Sequence, residues 1–318
     1  MSILVIVSLC LVLVYLTIFS LLSYGFRLKG KRGVLYPPAP ISIIIPFRNE
    51  ESNLAQLVDS FLELNYNLNI VEFIFIDDHS SDNSYQILSS ELKKTPLIYK
   101  IIKQAEAKSG KKQAIETAIN NSKNDFIVTT DADSTPSKNW LQAYSNAFQN
   151  KNQFIIGPVI NKNSNHFLGR LHSIEALMLS GVTIGSASLN KPLICSGANL
   201  GYTKTLFNEL NPYQSNSTIA SGDDLFFLDH ILQKGKKISY LKNKDAVVYT
   251  HAHGSYRSLL NQAIRWNSKN GQLTQKLNLY LSILVFFTNL SLIPNLFFGL
   301  TGSPTSLLFL FIKLLSDT

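Results

Sequence analysis

Charge is absent from both ends of this chain. No Asp, Glu, Lys or Arg occurs between Met1 and Phe26 or between Leu277 and Ile312, so apart from Lys313 and Asp317 all 29 basic and 21 acidic side chains lie between Arg27 and Lys276. That distribution describes a soluble block, carrying the net charge of +8, held between two apolar ends. Cysteine is scarce as well. Cys10 lies in the apolar N-terminus and Cys195 far away in the block, which argues against a disulfide framework and allows a reducing compartment. No repeat with a period of 20–50 residues is visible, which argues against solenoids and propellers. What is present, 45% hydrophobic and 11% aromatic residues, suffices for a sizeable core and argues against disorder and low complexity.

The run from Ile3 to Leu22 has the ~20 apolar residues that a helix needs to cross a bilayer core. Its start is uncharged and its basic cluster, Arg27, Lys29, Lys31 and Arg32, comes afterwards, the reverse of a cleaved signal peptide. Positive flanks stay in the cytoplasm, so the block is expected to be cytoplasmic, and Arg257, Arg265, Lys269 and Lys276 agree with that orientation. Leu277 to Leu300 is a second candidate span, interrupted by Pro294 and by asparagines. After the turn-like Thr301-Gly302-Ser303-Pro304, the run from Thr305 to Leu315 is too short to cross at ~1.5 Å per residue, and is expected to be re-entrant or cut short.

Within the block, apolar β-rich runs alternate with helical patterns. Ile41 to Ile45 reads as a strand ended by Pro46, and Asn49 to Leu64 as a helix with Leu54, Leu57, Val58 and Phe61 on one face. Val71 to Ile76 reads as a second strand, Asn83 to Leu92 as a helix, and Leu97 to Ile102 as a third strand. Lys111 to Asn120 is the next helix, and Asp125 to Thr130 a fourth strand. This alternation predicts an α/β fold, a parallel sheet with helices on both faces and ligands at the carboxyl ends of the strands. Acidic pairs fall at those ends. Asp131 and Asp133, separated by Ala132, point one way in an extended segment and suit a hard divalent cation that holds phosphates. Asp-rich turns also simply end strands, but Asp77-Asp78 at a second strand end weakens that alternative.

Seven elements follow one another between Ile41 and Trp266. They are Ile45-Pro46-Phe47-Arg48-Asn49-Glu50, Ile76-Asp77-Asp78-His79-Ser80-Ser81-Asp82, Gly110-Lys111, Thr130-Asp131-Ala132-Asp133, Ser196-Gly197-Ala198-Asn199-Leu200-Gly201-Tyr202, Gly222-Asp223-Asp224 and Gln262-Ala263-Ile264-Arg265-Trp266. In this order they resemble the motifs of family 2 glycosyltransferases with the GT-A fold. The resemblance is to the membrane-associated branch with Gln-x-x-Arg-Trp, which includes polysaccharide and glycolipid synthases. It implies a Rossmann-like mixed sheet with helices on both faces, flanked by transmembrane helices. It also implies an inverting transfer of a sugar from a nucleotide sugar, UDP-linked by expectation, to a lipid-linked or polysaccharide acceptor at the cytoplasmic face of the inner membrane.

By the same resemblance, Pro46, Arg48, Glu50, Asp78, Gly110, Lys111, Asp131, Gln262, Arg265 and Trp266 bind the donor, and Gly197, Ala198 and Asn199 lie on the acceptor side. Asp133 and Asp131 hold Mg²⁺ or Mn²⁺, and the catalytic base lies in Asp223-Asp224, with Asp224 favoured by its spacing to Gly235. The chain departs from the pattern at Ala263, where Gln or Arg is frequent in polymerising members, at His79, where glycine is frequent, and at Asp223, where Glu is frequent. The expected layout is a membrane helix over 1–26, a basic linker over 27–40, the GT-A domain over 41–255, an amphipathic interfacial helix over 256–276 and an incomplete membrane region over 277–318. His251 and His253 are two apart and could ligate a metal in an extended segment, though the strand-end carboxylates already suit the expected ion. Partners in a synthase complex are compatible with this layout. Nucleic acid is not expected, because the basic charge is partly juxtamembrane and lacks interleaved aromatics. A metal-dependent nucleotidyl- or phosphotransferase would use the same carboxylates but leave Gln-x-x-Arg-Trp without a role. A non-catalytic synthase subunit would not need intact acidic motifs.

Overall fold

The computed structural model describes residues 2–28, 34–107, 109–162, 166–214, 222–251, 256–257, 260, 264, 273–274 and 276–317. In chain order the elements are α1 (Ser2–Arg27), β1 (Ile41–Phe47), α2 (Leu54–Leu62), β2 (Val71–Asp77), α3 (Ser84–Leu92), β3 (Ile98–Lys103), α4 (Lys111–Asn120), β4 (Phe126–Thr129), β5 (Thr135–Pro136), α5 (Trp140–Gln149), β6 (Phe154–Ile156) and β7 (Val159–Asn161). They continue with α6 (Phe167–Ser188), β8 (Leu200–Thr203), α7 (Lys204–Leu210), α8 (Asp223–Gln233), β9 (Ile238–Tyr240), β10 (Val248–Thr250), α9 (Leu277–Leu290), α10 (Leu292–Leu300) and α11 (Pro304–Asp317).

The main sheet has the order β3-β2-β1-β4-β8-β6-β9. Its first four strands are parallel, as their apolar, β-branched runs predict. The parallel order read from the strand and helix alternation holds for these four strands, and β8, antiparallel to both β4 and β6, makes the whole sheet mixed, as the resemblance implies. Strand alternation sorts β1 and β2 between two cores. Ile41, Ile43, Ile45, Phe73 and Phe75 pack with α2, α3 and α5, while Ile44, Ile74 and Ile76 pack with α4, α7 and α8. Pro46 does not end β1 as expected. Pairing with β2 continues through Phe47, whereas pairing with β4 stops at Ile44, so Pro46 sits where the strand has one partner and its missing N–H breaks no full ladder. The helix expected from Asn49 starts later, at Leu54, because Asn49 takes a left-handed φ of 56° and residues 48–53 form a loop.

A second, three-stranded sheet, β5-β10-β7, follows the Asp131-Ala132-Asp133 segment and joins it to the strand before His251. The two sheets meet at Asn199, which is completely buried. Its Oδ1 accepts from Trp140 Nε1 (2.9 Å) and Tyr144 OH (2.8 Å), and its Nδ2 donates to the carbonyls of Pro158 (2.6 Å) and Ala246 (2.8 Å). Both ends of the amide are satisfied, so this buried polar group fixes geometry without leaving an orphan.

Among the described residues, two stretches at the apolar ends are long and apolar enough to cross a membrane, Ile3–Arg27 and Leu277–Leu300. The second is broken at Ser291 into α9 and α10. Pro294 removes a helical donor there, while Ser291 Oγ donates to Thr288 O (2.7 Å) and Asn295 Nδ2 donates to Ser291 O (2.8 Å). The run expected to be too short to cross is α11, which packs on α10 and α1.

Exchanging Asn199 for Asp would turn a donor toward two buried carbonyls into an acceptor. Unfolding by heat or denaturant should show a loss of about 3 kcal/mol or more. A change within experimental error would mean that Asn199 does not hold the two sheets together.

Candidate active site

The loops after β1 and β2 are laced by side chains. Asn49 N donates to Ser80 Oγ (3.1 Å), Glu50 N to Ser84 Oγ (2.7 Å) and Glu51 N to Asp82 Oδ2 (3.3 Å). In return Ser81 N donates to Asn49 Oδ1 (2.8 Å) and Asn83 N to Glu51 Oε2 (3.1 Å). Ser80 therefore helps to join the two loops. His79, between these contacts, has φ 62°, a left-handed conformation that glycine adopts freely and that an occasional polar residue tolerates. Asp78, buried at the end of β2, accepts from Gly110 N with both oxygens (2.9 and 3.1 Å), and Gly110 reaches that position with φ 97°. This contact places the first residue of α4, Lys111, over the carboxyl ends of the strands.

Lysine opposes the helix dipole at a helix start. Lys111 is held there by carboxylates, with its Nζ 2.6 Å from Asp131 Oδ1 and 3.9 Å from Asp223 Oδ2. Burial disfavours its charge, but Asp131 and Asp223 outweigh burial and raise its pKa above that of an ordinary lysine. Lys112, the next residue, lies over the Phe226 ring at 4.2 Å and packs α4 on α8.

Among the described residues, negative charge exceeds positive charge here. Asp133 is pushed up by burial and then by Asp131, with Lys111 and His251 opposing. Glu50 is raised by burial, lowered by its bond from Asn53, and raised again by Asp133, Asp131 and Asp82. Hard oxygen donors that hold one another's protons on are a fit site for Mg²⁺ or Mn²⁺. Among the described residues no group of three or more His, Cys, Asp and Glu is arranged to hold a metal, so Asp131 and Asp133 would leave coordination positions to water and to ligand phosphates.

Asp223 and Asp224 open α8 and point to different places. Asp223 is 6% exposed and is pushed up to about 6 by burial, against the pull of Lys111 and with the push of Asp224. Asp224 is half-buried, and its Oδ2 accepts from Gly197 N (3.1 Å) while its Oδ1 accepts from Leu225 N (2.8 Å). Gly197 is a true close approach, since a Cβ there would lie 2.9 Å from Asp223 Oδ2 and 3.3 Å from Lys111 Nζ. Thr129 Oγ1 holds the same residue from β4 by donating to Gly197 O (2.8 Å).

The structure thus gathers Glu50, Asp78, Gly110, Lys111, Asp131, Asp133, Gly197, Asp223 and Asp224 at one end of the sheet. Pro46 stays buried inside β1, Arg48 is exposed just beyond it, and Ala198 is buried. Asn199, expected on the acceptor side, has its side chain enclosed and fully bonded, so it supports the Gly197 loop from within. Gln262, Arg265, Trp266 and His253 lie outside the described residues. Sequence reasoning quoted Tyr202 within the Ser196 to Tyr202 element but gave it no role; it is a buried tyrosine whose phenol feels Asp223 and is raised mainly by burial. Sequence reasoning missed Trp140 and Tyr144, which anchor Asn199. Neither of these two stands in a polar motif that would have marked it.

The sequence profile of glycosyl transferase family 2 matches residues 42–210. A probable glycosyltransferase of Bacillus subtilis is 33% identical over 99 residues, which span 31% of this chain and 24% of that protein. A Methanococcus voltae enzyme named as a dolichyl N-acetyl-glucosaminyl phosphate diacetamido-dideoxy-glucuronosyltransferase is 23% identical over 244 residues, 74% of each chain. The solved mannosyltransferase PcManGT of Pyrobaculum calidifontis, in complex with GDP-Man and Mn²⁺, superposes with a TM-score of 0.70 at 16% identity, covering 99% of this chain and 92% of that one. The first 349 residues of TarS from S. aureus superpose with a TM-score of 0.51 at 18% identity, covering 67% and 60%.

The raised pKa of Asp223 fixes the sign of a stability effect. A carboxyl that holds its proton more tightly when folded stabilises the fold below its unfolded value near ~3.9, and that contribution is lost as pH rises through about 6. In metal-free, nucleotide-free protein, wild type should therefore lose up to about 3 kcal/mol relative to Asp223→Asn between pH 4 and pH 7. Denaturation series at several pH values measure this, and an opposite slope would show that Lys111 outweighs burial.

Proposed function

The chain belongs to glycosyl transferase family 2, and from that premise we propose that it transfers a sugar from a nucleotide sugar, UDP-linked, to a lipid-linked acceptor or a polysaccharide at the cytoplasmic face of the membrane, with inversion. The observation that carries this reading is the position of Lys111. One ammonium joins the Asp131-Ala132-Asp133 segment to the acidic start of α8, so the residues expected to serve the donor and the residues expected to serve the acceptor form one cluster. The Methanococcus relative, named for a dolichyl phosphate-linked acceptor, and a cyanobacterial relative named as a beta-monoglucosyldiacylglycerol synthase support a lipid acceptor. PcManGT with GDP-Man supports a nucleotide-sugar donor and makes GDP the base to test beside UDP.

Asp131 and Asp133 would hold Mg²⁺ or Mn²⁺, which supplies positive charge to stabilise the departing diphosphate. Asp78, fixed by Gly110, accepts hydrogen bonds from the nucleoside, and Lys111 keeps Asp131 in place. Asp224 is the base. It is half-buried, so an acceptor hydroxyl can reach it, and Gly197 N–H orients its carboxylate. As Asp224 takes the hydroxyl proton, the acceptor oxygen bonds to the anomeric carbon and the bond from that carbon to the diphosphate oxygen breaks on the opposite face. Asp223, buried beside Lys111, holds that lysine rather than meeting the acceptor.

Two substitutions test these roles. Asp133→Asn keeps size but removes a charged ligand, so Mn²⁺-dependent transfer by membranes given a panel of nucleotide sugars should fall at least ~100-fold in a protein that still folds. Undiminished turnover would refute the metal assignment. Asp224→Asn should abolish transfer yet leave UDP affinity in calorimetry near that of wild type, because the diphosphate is held elsewhere. If Asp224→Asn binds UDP poorly but turns over at saturating donor, Asp224 is a donor-binding residue and the proposed mechanism fails at its central step.

A further inference from the structure

α6 carries an apolar stripe that protein covers along only part of its length. Phe167, Leu171, Ile174 and Met178 fall on one line of the helix by their spacing, with Leu177 beside them, and they are exposed by 73, 46, 53, 65 and 64% in that order, Leu177 last. Continued toward the C-terminal end, the same line reaches Gly185, and there the stripe is covered by α1. The two backbones touch without side chains between them. A Cβ on Gly185 would lie 2.3 Å from Leu22 O, and one on Gly25 2.3 Å from Gly185 O. α1 is itself a candidate span, and its remaining surface is bare and apolar at Ile3, Ile6, Val7, Leu13, Val14 and Leu21.

We propose that the bare part of this stripe rests in the lipid at the cytoplasmic surface of the bilayer, making α6 an in-plane membrane contact of the domain. The surface is continuous with that of α1, so whatever surrounds α1 also reaches α6. A helix of 22 residues with large apolar side chains along one line suits burial at the headgroup and acyl boundary. The contact also bears on the site. Ser180 Oγ of α6 bonds to Val159 O (3.2 Å), and His172 Nδ1 lies 3.3 Å from Asn161 Nδ2. Asn161 Oδ1 in turn accepts from Thr250 Oγ1 (2.9 Å), the residue before His251. The small sheet beside Asp133 thus leans on α6, and lipid beneath α6 sets the height of the site above the bilayer.

This inference rests on the reading of α1 as a span, and the two are separable in one experiment. The full chain is placed in phosphatidylcholine and phosphatidylglycerol nanodiscs, with Cys195→Ser in every variant, and carries the environment-sensitive fluorophore NBD at a single cysteine. Native Cys10, exposed in α1, reports on the span. Leu177→Cys or Met178→Cys, each with Cys10→Ser, reports on α6, and Lys94→Cys with Cys10→Ser on the far side of the domain serves as the aqueous reference. Nitroxides near the headgroup should quench positions 177 and 178 and leave 94 bright, and a nitroxide deep in the chain should quench position 10 more strongly. Should position 10 be quenched while 177 and 178, in variants with wild-type circular dichroism, respond only to a water-soluble quencher, the proposal is wrong and the span stands. Protection of 177 and 178 from both kinds of quencher, with energy transfer between labelled copies, would assign the stripe to a second copy and overturn the proposal as well. No lipid quenching at position 10 would fail the membrane reading itself.

Discussion

The organisation of the site depends on the Lys111 ammonium among carboxylates. Lys111 stands at a helix start, where the backbone dipole repels it, and is kept there by Asp131 at 2.6 Å and Asp223 at 3.9 Å. Removing that charge would leave Asp131, Asp133, Asp223 and Asp224 repelling one another across the gap between β4 and α8. Retaining it still leaves more negative charge than positive among the described residues, which is visible in the upward push on Asp133, Glu50 and Asp223. An ion of charge +2 bound with a diphosphate would bring nearly as much negative charge as it neutralises. Such a site can therefore take up and release a charged donor without a large change in its own electrostatic balance.

Part of the rigidity around this cluster comes from hydrogen bonds between neutral groups, such as Asn49 N to Ser80 Oγ, Glu50 N to Ser84 Oγ and the bonds of the Asn199 amide. The loops at residues 48–53 and 79–84 hold each other through side chain to backbone contacts, and Asn199 ties the Gly197 loop to α5 and to both sheets. These bonds require no change of protonation, so the frame keeps its shape while the acidic residues within it gain and lose charge. Preorganised groups of this kind stabilise a transition state better than mobile ones, because little reorientation accompanies the reaction.

The parts legible in the sequence are those with a strong local signal. β1 and β2 are mostly apolar runs, interrupted inside only by Ser42 and Glu72, α2 has a clean apolar face, and the strand-end aspartates announce themselves by type and place. The antiparallel β8 was not legible, because its four residues, Leu200–Thr203, carry no signal of direction. α6 escaped notice for the opposite reason. Leu168, Leu179 and Ile184 lie off its exposed line, and Arg170 and Glu175 are exposed on the same helix, so apolar and polar residues are spread around it and it shows little periodicity. Asp223 and Asp224 are neighbours in sequence yet about 100° apart on a helix, so Asp223 lies beside Lys111 while Asp224 accepts from Gly197 N. The burial of Asn199 needed Trp140, Tyr144, Pro158 and Ala246 brought together from three segments, and no local pattern announces that.

The attachment of α1 to the domain constrains how an acceptor can arrive. Lys242, just after β9, donates to the carbonyls of Phe26 and Leu28 and lies 4.9 Å from the centre of the Phe26 ring, so a cation from the catalytic domain caps the negative end of the helix. Together with the backbone contact between Gly25 and Gly185, this fixes α1 to the domain at two places on different elements. A domain on a flexible tether could swing to reach acceptors at many heights. One clamped at the end of its own apolar helix is held at a fixed height and orientation relative to whatever surrounds that helix. On the reading of α1 as a span, the reacting hydroxyl must then come to the site, which favours an acceptor that diffuses in the membrane and presents its headgroup at a constant depth.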